Sequence, residues 1–379
     1  MPAAATGARA EFSALPPEAE THRACARCIG RAWLLQRLSG NLERVRGRLG
    51  DVLALPDDEL IVALAGRQRD AVDAELRALD ASGIRTQAAR ARVEMVCRCD
   101  AAYPRRLREL AAPPAVLHVA GGLGHALALL DGEPVAIVGA RRASSYGVEV
   151  ARSLARGLGA AGVTVISGMA LGIDSAAHSG ALAACGRTIA VLPGGADRPY
   201  PPSQRALHGR IAASGAIVSE LPAGARVARW GPPARNRIIA ALASMTLVVE
   251  AAHRSGALLT AAHARTLGRP VGAVPGRVTS GLAAGPIELI RAGATAIRGA
   301  QDILDELFGA GMVRSPQVSR PPLSPAHQRL LVALEAGEDT LPALARAGFR
   351  AEQALAGLSA LELAGYVRRG AGGRFVVVA

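Results

Sequence analysis

Arginine, glycine and hydroxyl residues recur in this chain as loops that follow short apolar runs, and the chemistry such loops can do is anion binding. The central example is Val165-Ile-Ser-Gly-Met-Ala-Leu-Gly-Ile-Asp-Ser-Ala-Ala-His178. Residues 163–166 read as a buried parallel strand, the chain breaks at Ser167-Gly168, and an apolar helical pattern runs from Ile173 to about Cys185. Glycines at 168 and 172 remove the Cβ atoms that would block a ligand. The helix start aims free N–H groups and a partial positive charge at it. Such a unit is a phosphate cradle in an α/β sheet, although a tight turn without a ligand uses the same glycines. Asp174 and His178 lie one helical turn apart and could form an acid/base pair. The favoured reading is an acid bonding backbone N–H groups and a histidine bracing the loop.

The device repeats. Gly139-Ala-Arg-Arg-Ala-Ser-Ser-Tyr-Gly147 follows another apolar run. It is not a dinucleotide fingerprint, because its glycine spacing is wrong and Ser167 stands where an acidic ribose partner is expected. Arg141, Arg142, Ser144 and Tyr146 instead suit phosphate plus a stacked base. Arg198 follows Pro193-Gly-Gly195, Arg235-Asn236-Arg237 opens a helix, Ser255-Gly256 repeats the glycine–hydroxyl–helix pattern, and Arg277 closes the last loop. Several such loops at one sheet edge make a basic groove rather than one mononucleotide pocket. Aromatic residues are 3% of the chain, and only Tyr146, Tyr200 and Trp230 lie near these loops, which limits base stacking. Cys25-x2-Cys28 and Cys97-x-Cys99 could offer four thiolates to zinc. The second spacing is unusual and no knuckle glycines surround it, so the default expectation is no metal and incidental thiols.

These loops need a scaffold of alternating strands and helices. Candidate strands are 115–119, 134–138, 163–166, 187–192, 215–219, 245–249, 270–274 and 294–297. Candidate helices lie near 146–160, 173–185, 203–213, 235–243, 257–268, 285–292 and 300–308. Runs such as Ala136-Ile-Val and Leu247-Val-Val are apolar on both faces, as parallel strands between helices must be. The fold class is α/β, a doubly wound and mostly parallel sheet. Residues 1–20 read as a disordered tail, 21–105 as a helical N-terminal domain, 106–308 as the α/β domain and 309–323 as a linker. From 324 to 379, helices near 325–335, 340–347 and 351–363 and a hairpin around Gly370-Ala-Gly-Gly373 give the winged-helix layout. Its third helix offers Arg350 against Glu352 and Glu362, a composition favouring a structural or protein-binding wing over base reading.

Charge points the same way. The 379 residues carry a net charge of +13, and all 44 basic residues are arginine. Without lysine there is no P-loop lysine and no Schiff base to pyridoxal phosphate. Residues 131–300 hold 18 Arg against 8 Asp and Glu, which directs the α/β region to a polyanion. No apolar run is long enough to span a membrane and no signal-peptide core opens the chain, so a cytoplasmic protein is expected. Five cysteines argue against a secreted disulfide scaffold.

Five motifs then occur in one order: G-A-R-R-A-S-S-Y-G, S-G-M-A-L-G-I-D-S-A-A-H, R-N-R-I-I, V-V-E-A-x-x-R-S-G-A-L-L-T-A and A-V-P-G. On these, residues 100–305 resemble the DNA-processing protein A family (DprA/Smf). The resemblance implies an extended Rossmann fold that needs no cofactor and binds single-stranded DNA without sequence preference. It also implies a homodimer that protects incoming strands and loads the recombinase RecA during natural transformation. Arg141 would grip the DNA backbone over a cradle of Gly139, Ser167 and Gly168. Two departures stand out. The family's Tyr-Pro-x-x-Asn reads Tyr200-Pro-Pro-Ser-Gln204 with no base at 202, where Arg198 or Arg205 would substitute, and Ile287 replaces a late amide. The alternative is a phosphoribohydrolase-like, nucleotide-cleaving enzyme. Such relatives carry PGG-x-G-T-x-x-E, whereas here PGG is followed by Ala-Asp-Arg-Pro, without the threonine or the catalytic glutamate. A regulator acting through the winged helix is a third reading, against which the third helix's acidity weighs.

Overall fold

The computed structural model describes residues 22–184, 186–311, 323–364, 366–369 and 374–377. The tail expected at 1–20, most of the linker expected at 309–323 and the turn at Gly370–Gly373 lie outside them. The chain divides into two compact units, Met1–Met312 and Val313–Ala379.

In the first unit the described residues build a ten-stranded sheet from β1 (His22–Arg23), β2 (Val93–Cys97), β3 (Val116–Ala120), β4 (Val135–Val138), β5 (Val165–Ser167), β6 (Thr188–Leu192), β7 (Ala216–Ser219), β8 (Met245–Val248), β9 (Val271–Ala273) and β10 (Thr295–Ala296). Their spatial order is β1-β2-β3-β7-β6-β5-β4-β8-β9-β10. Among them β3 alone is reversed, pairing antiparallel with β2 (Met95 opposite His118) and with β7 (Val119 opposite Val218). The rest is parallel and doubly wound. Every residue of β4, β5, β6, β7 and β8 is buried, because helices cover both faces. One apolar layer joins Ile238, Leu242 and Ala261 to Ala136 and Val248. The opposite layer joins Leu154, Leu158 and Ala177 to Val135, Ile137 and Leu247.

The chain builds β4 to β7 outward on one side, then returns to lay β8 beside β4. That reversal opens a crevice at the C-terminal ends of β4 and β8, where open α/β sheets bind ligands. The candidate strands from 115 onward all fall on observed strands. The N-terminal region is less purely helical than expected. Short helices between Ala26 and Arg90 fill it, but β2 closes it and joins the main sheet. The reason is burial: Val96 packs with Leu117 on one face and Val93, Met95 and Cys97 pack into the other. A further helix, Leu123–Leu130, lies between β3 and β4.

In the second unit, helices Pro325–Glu335, Leu341–Arg346 and Ala351–Leu363 precede an antiparallel hairpin, Val367–Arg369 with Phe375–Val377. Leu330, Leu334, Leu344, Leu358, Leu361 and Phe375 form its core. This is a winged-helix arrangement.

Close packing of the helices Ser145–Ala160 and Ile173–Leu182 depends on a missing Cβ, because one at Gly180 would collide with the Arg152 carbonyl. Gly209, also within a helix, has nothing within 4 Å of a Cβ position. Gly180→Ala should therefore cost about 1–3 kcal/mol. Gly209→Ala should stabilise by roughly 0.5–1 kcal/mol, because alanine loses less backbone entropy in a helix. Chemical denaturation of the two variants beside the parent checks the opposite signs.

Candidate nucleic-acid interface

The loop after β4 is shaped by what crowds it. A Cβ at Gly139 would lie 2.6 Å from Ile173 Cγ1 and 2.9 Å from the Glu250 carbonyl oxygen. Only glycine lets the chain pass there. Ala140 N–H then donates to that carbonyl at 2.7 Å, tying the β4 loop to the end of β8. Arg141 and Arg142 follow, both exposed. Ser144 caps the helix Ser145–Ala160: its Oγ accepts from Gly147 N–H at 3.0 Å and donates to Glu250 Oε1 at 2.5 Å. The Ser144 amide donates to Glu250 Oε2 at 2.9 Å, and a Cβ at Gly147 would strike the same carboxylate. Buried Glu250 thus occupies the anion position at this helix start. Ser144 and Gly147, expected to meet DNA, are spent on an internal anion.

The β5 loop repeats the arrangement. The Ser167 hydroxyl is buried and donates to the Ile137 carbonyl at 2.6 Å. It braces β4 rather than facing a ligand. Gly168 makes room for the guanidinium of Arg235, which would collide with any Cβ there. Gly172, at φ +81°, passes against the Ala140 carbonyl. Asp174 is buried and accepts from Ala170 N–H at 3.4 Å. Burial raises its pKa, while Arg235 and the amides of Ala170, Gly168 and Gly139 oppose the rise. His178 pairs through Nδ1 with Thr188 Oγ1 at 2.7 Å, and Thr188 Oγ1 donates to the Val165 carbonyl at 2.8 Å. Burial, with Arg235 adding, pushes the His178 pKa down to about 3. The ring is uncharged near neutrality, and because Thr188 spends its own hydrogen on Val165, Nδ1–H of His178 is the donor to Thr188 Oγ1; its place is structural.

The helix Gly231–Leu242 carries Arg235, Asn236 and Arg237, and the structure separates their roles. Arg235 donates to the Val191 carbonyl at 2.6 Å. Its pKa is lowered by burial to about 10, with Asp174 opposing, so it remains a cation. Arg237 is lost to the interface: it forms an ion pair of 2.6 Å with Glu220, both side chains being under a tenth exposed. A pair of this kind leaves no charge for a phosphate. Asn236 donates to the Gly256 carbonyl at 3.1 Å, positioning the helix Gly256–Thr266, whose cap is Ser255. No carboxylate hydrogen-bonds to that helix start among the described residues.

These elements enclose a cavity of about 270 Å³ at the β4–β8 crevice, lined by Gly139, Arg141, Asp174, Arg235, Asn236 and Gly256. A second hollow of about 850 Å³ is lined by Tyr146, Glu250, Arg277, Thr279 and Ser280. Tyr146 is 54% exposed and offers a stacking face. Trp230 does not, because it is buried and its indole donates to Ser39 Oγ at 2.8 Å. Arg198 and Arg205 are exposed beside the β6 loop, Arg198 donating to the Gly224 carbonyl at 3.4 Å, and neither lines a cavity described here. The four cysteines that spacing left as incidental thiols are brought together, their sulfurs all within 4.8 Å.

A family model described as DNA recombination-mediator protein A matches residues 94–308, more than half of the chain. The chain belongs to that family. A second model, the DprA winged helix domain, matches residues 314–373. The putative DNA processing protein DprA of Mycobacterium tuberculosis is 46% identical over 237 residues, 61% of this chain and 61% of that relative's own length. The X-ray structure of DNA processing protein A from Streptococcus pneumoniae superposes with a TM-score of 0.60 at 30% identity, over 74% of this chain and 96% of that one. DNA processing protein A from Helicobacter pylori, described as having a unique single-stranded DNA binding mode, gives 0.51 at 29% identity, over 57% and 95%. The names these relatives carry are of DNA processing and recombination mediation, and one of the solved structures is described by its single-stranded DNA binding.

Buried histidines make the fold of this family member acid-sensitive. Burial lowers His118 to about 4 and His178 to about 3, against an unfolded value of about 6.5. Below that value the unfolded chain takes up protons that the native histidines refuse. Stability is therefore present above about pH 6.5 and lost as pH falls, by up to roughly 1.4 kcal/mol per pH unit for each histidine. Denaturant unfolding at a series of pH values checks this, and His118→Gln should flatten the slope.

Proposed function

We propose that the chain binds single-stranded DNA along the C-terminal edge of its sheet, through phosphate contacts and without reading sequence. The observation that carries this is the β4–β8 cavity. There exposed Arg141 stands before the cationic, fixed Arg235, and the start of the helix Gly256–Thr266 opens beside them. An arginine fork and free helix N–H groups are complementary to phosphate, which every nucleotide presents. Tyr146 and Arg277 at the adjoining hollow extend the track, with Tyr146 as a stacking platform that accepts any base. The single-strand binding described for the Helicobacter pylori protein supports the reading.

Finer parts of the proposal rest on the family. They are protection of incoming strands during natural transformation, delivery to the recombinase RecA, a homodimer and a place of action in the cytoplasm. No helix among the described residues is long and apolar enough to cross a membrane. Within the division proposed, residues 106–308 hold the DNA track, with 21–105 and 324–379 as flanking domains.

Arg141 and Arg152 make a controlled comparison, since both are exposed and each loses one positive charge on substitution. Arg141→Ala should weaken single-strand binding by about 1.5–3 kcal/mol, a roughly ten- to hundredfold loss. Arg152→Ala, mid-helix and lining neither cavity, should change it little. Equal losses in a fluorescence titration of the two, with unchanged melting temperatures, would assign binding to the overall field instead.

Phosphate-dominated binding also has a salt signature. The affinity should fall by about 0.7 log units per log unit of salt for each phosphate neutralised on a single strand. Arg141→Ala should make that slope shallower by about one phosphate's share. A salt-independent affinity for a labelled oligonucleotide would refute the arginine track.

A further inference from the structure

The four cysteines outside the DNA track stand at the two ends of the N-terminal helical region. Cys25 immediately precedes the helix Ala26–Arg37 and Cys28 lies in its first turn. Cys97 is the last residue of β2 and Cys99 lies two residues further on. All four sulfurs lie within 4.8 Å of one another. Cys28 Sγ is 3.6 Å from Cys99 Sγ, and Cys25 Sγ is 4.0 Å from Cys97 Sγ. Tetrahedral zinc with metal–sulfur bonds of about 2.3 Å sets its sulfurs roughly 3.8 Å apart, by the geometry of the tetrahedron. A disulfide would hold a pair at about 2.05 Å. The Cys28–Cys99 and Cys25–Cys97 separations are close to that tetrahedral edge and far from the disulfide length.

A backbone N–H and a helix start face the sulfurs. Cys25 N–H donates to Cys97 Sγ at 3.4 Å, and the start of the helix Ala26–Arg37 places a partial positive charge at Cys25 and Cys28. Zinc with four thiolates carries a net charge of about −2. Each chelating pair encloses one arginine, Arg27 in the first and Arg98 in the second, which opposes that charge. Cys28 and Cys97 are buried while Cys25 and Cys99 are exposed, so the cluster is reachable by an incoming ion. Four sulfur ligands leave no open coordination position, which marks a structural centre rather than a reactive one.

We propose that Cys25, Cys28, Cys97 and Cys99 form a structural zinc site that clasps the start of the helical region to its end on β2. The clasp closes the whole segment between Cys25 and Cys97 onto a strand of the main sheet, so that metal affinity becomes folding free energy. It is independent of the DNA reading.

The test uses the full chain, purified without chelators under reducing conditions, with metal content measured by inductively coupled plasma mass spectrometry. The expected result is one zinc per chain, falling to none in Cys97→Ser and Cys99→Ser and staying at one in Cys185→Ser. Because a cysteine variant could misfold, a second measurement uses the parent protein. Cobalt added to zinc-stripped protein should give the intense visible absorption of a tetrahedral thiolate centre, and one equivalent of zinc should abolish it. Zinc removal should also lower the melting temperature, and readdition should restore it. Failure of the parent protein to bind either metal would overturn the site. So would iron in place of zinc, or two disulfides among these cysteines in protein prepared without oxygen.

Discussion

A parallel sheet gathers helix starts at one edge, and each start presents amide hydrogens and partial positive charge that need an anionic partner. The rest of this site follows from how that demand is met. Glu250 settles it for the helix Ser145–Ala160, accepting from the Ser144 amide and hydroxyl. Asp174 meets the amide of Ala170, with those of Gly168 and Gly139 also favouring its charged form. Both carboxylates are buried, and both cross-link neighbouring loops. The edge is therefore held in place by internal bonds, and what remains for a ligand is exposed Arg141 and the start of Gly256–Thr266, with Arg235 beside them although Asp174 shares its charge.

That arrangement alters what charge composition means. Eighteen arginines in residues 131–300 suggest a broadly basic surface, yet several serve the interior. Arg237 is paired with Glu220, and Arg269 is paired with Glu109 while also donating to the carbonyl oxygens of Ala240 and Ala243. Arginine can do this because its planar fork meets several acceptors at once and stays charged when buried. The footprint for a polyanion is accordingly smaller and more localised than the total, and the exposed members at the loops, Arg141, Arg142, Arg198, Arg205 and Arg277, are the ones able to meet phosphate.

Much of this was legible before the structure. Strands such as β4 and β8 could be read because burial on both faces favours an apolar run, and the helix starts expected near 146 and 257 fall within one residue of those observed, Ser145 and Gly256. The loops that line the crevice were legible from glycines placed directly after strands. What could not be read was direction. Sequence does not say whether an arginine two residues into a motif points inward, so Arg237 looked like a ligand-facing base until Glu220 was found beside it. Ser167 and Trp230 misled in the same way, their polar groups being bonded internally to Ile137 and Ser39. β2 was hidden among arginine-rich helices because five residues are too few for periodicity to decide. That the cysteine pairs meet could not be read, because chain spacing says nothing of the distance across a whole helical region.

Bonding within this edge also bears on the kind of recognition the site can perform. A pocket that reads a base needs donors and acceptors matched to its edge, fixed and otherwise unpaired. Here the hydroxyls and amides best placed for that work, on Ser144, Ser167 and Asn236, are already engaged within the protein. The groups left outward are arginine forks, helix amides and one exposed tyrosine ring: the amides suit phosphate, the ring stacks on any base, and the forks meet phosphate or a guanine edge. The internal bonds that hold the loops in place thus withdraw these hydroxyls and this amide from base contact, so the interactions that steady the edge also narrow the base-reading groups left at the crevice.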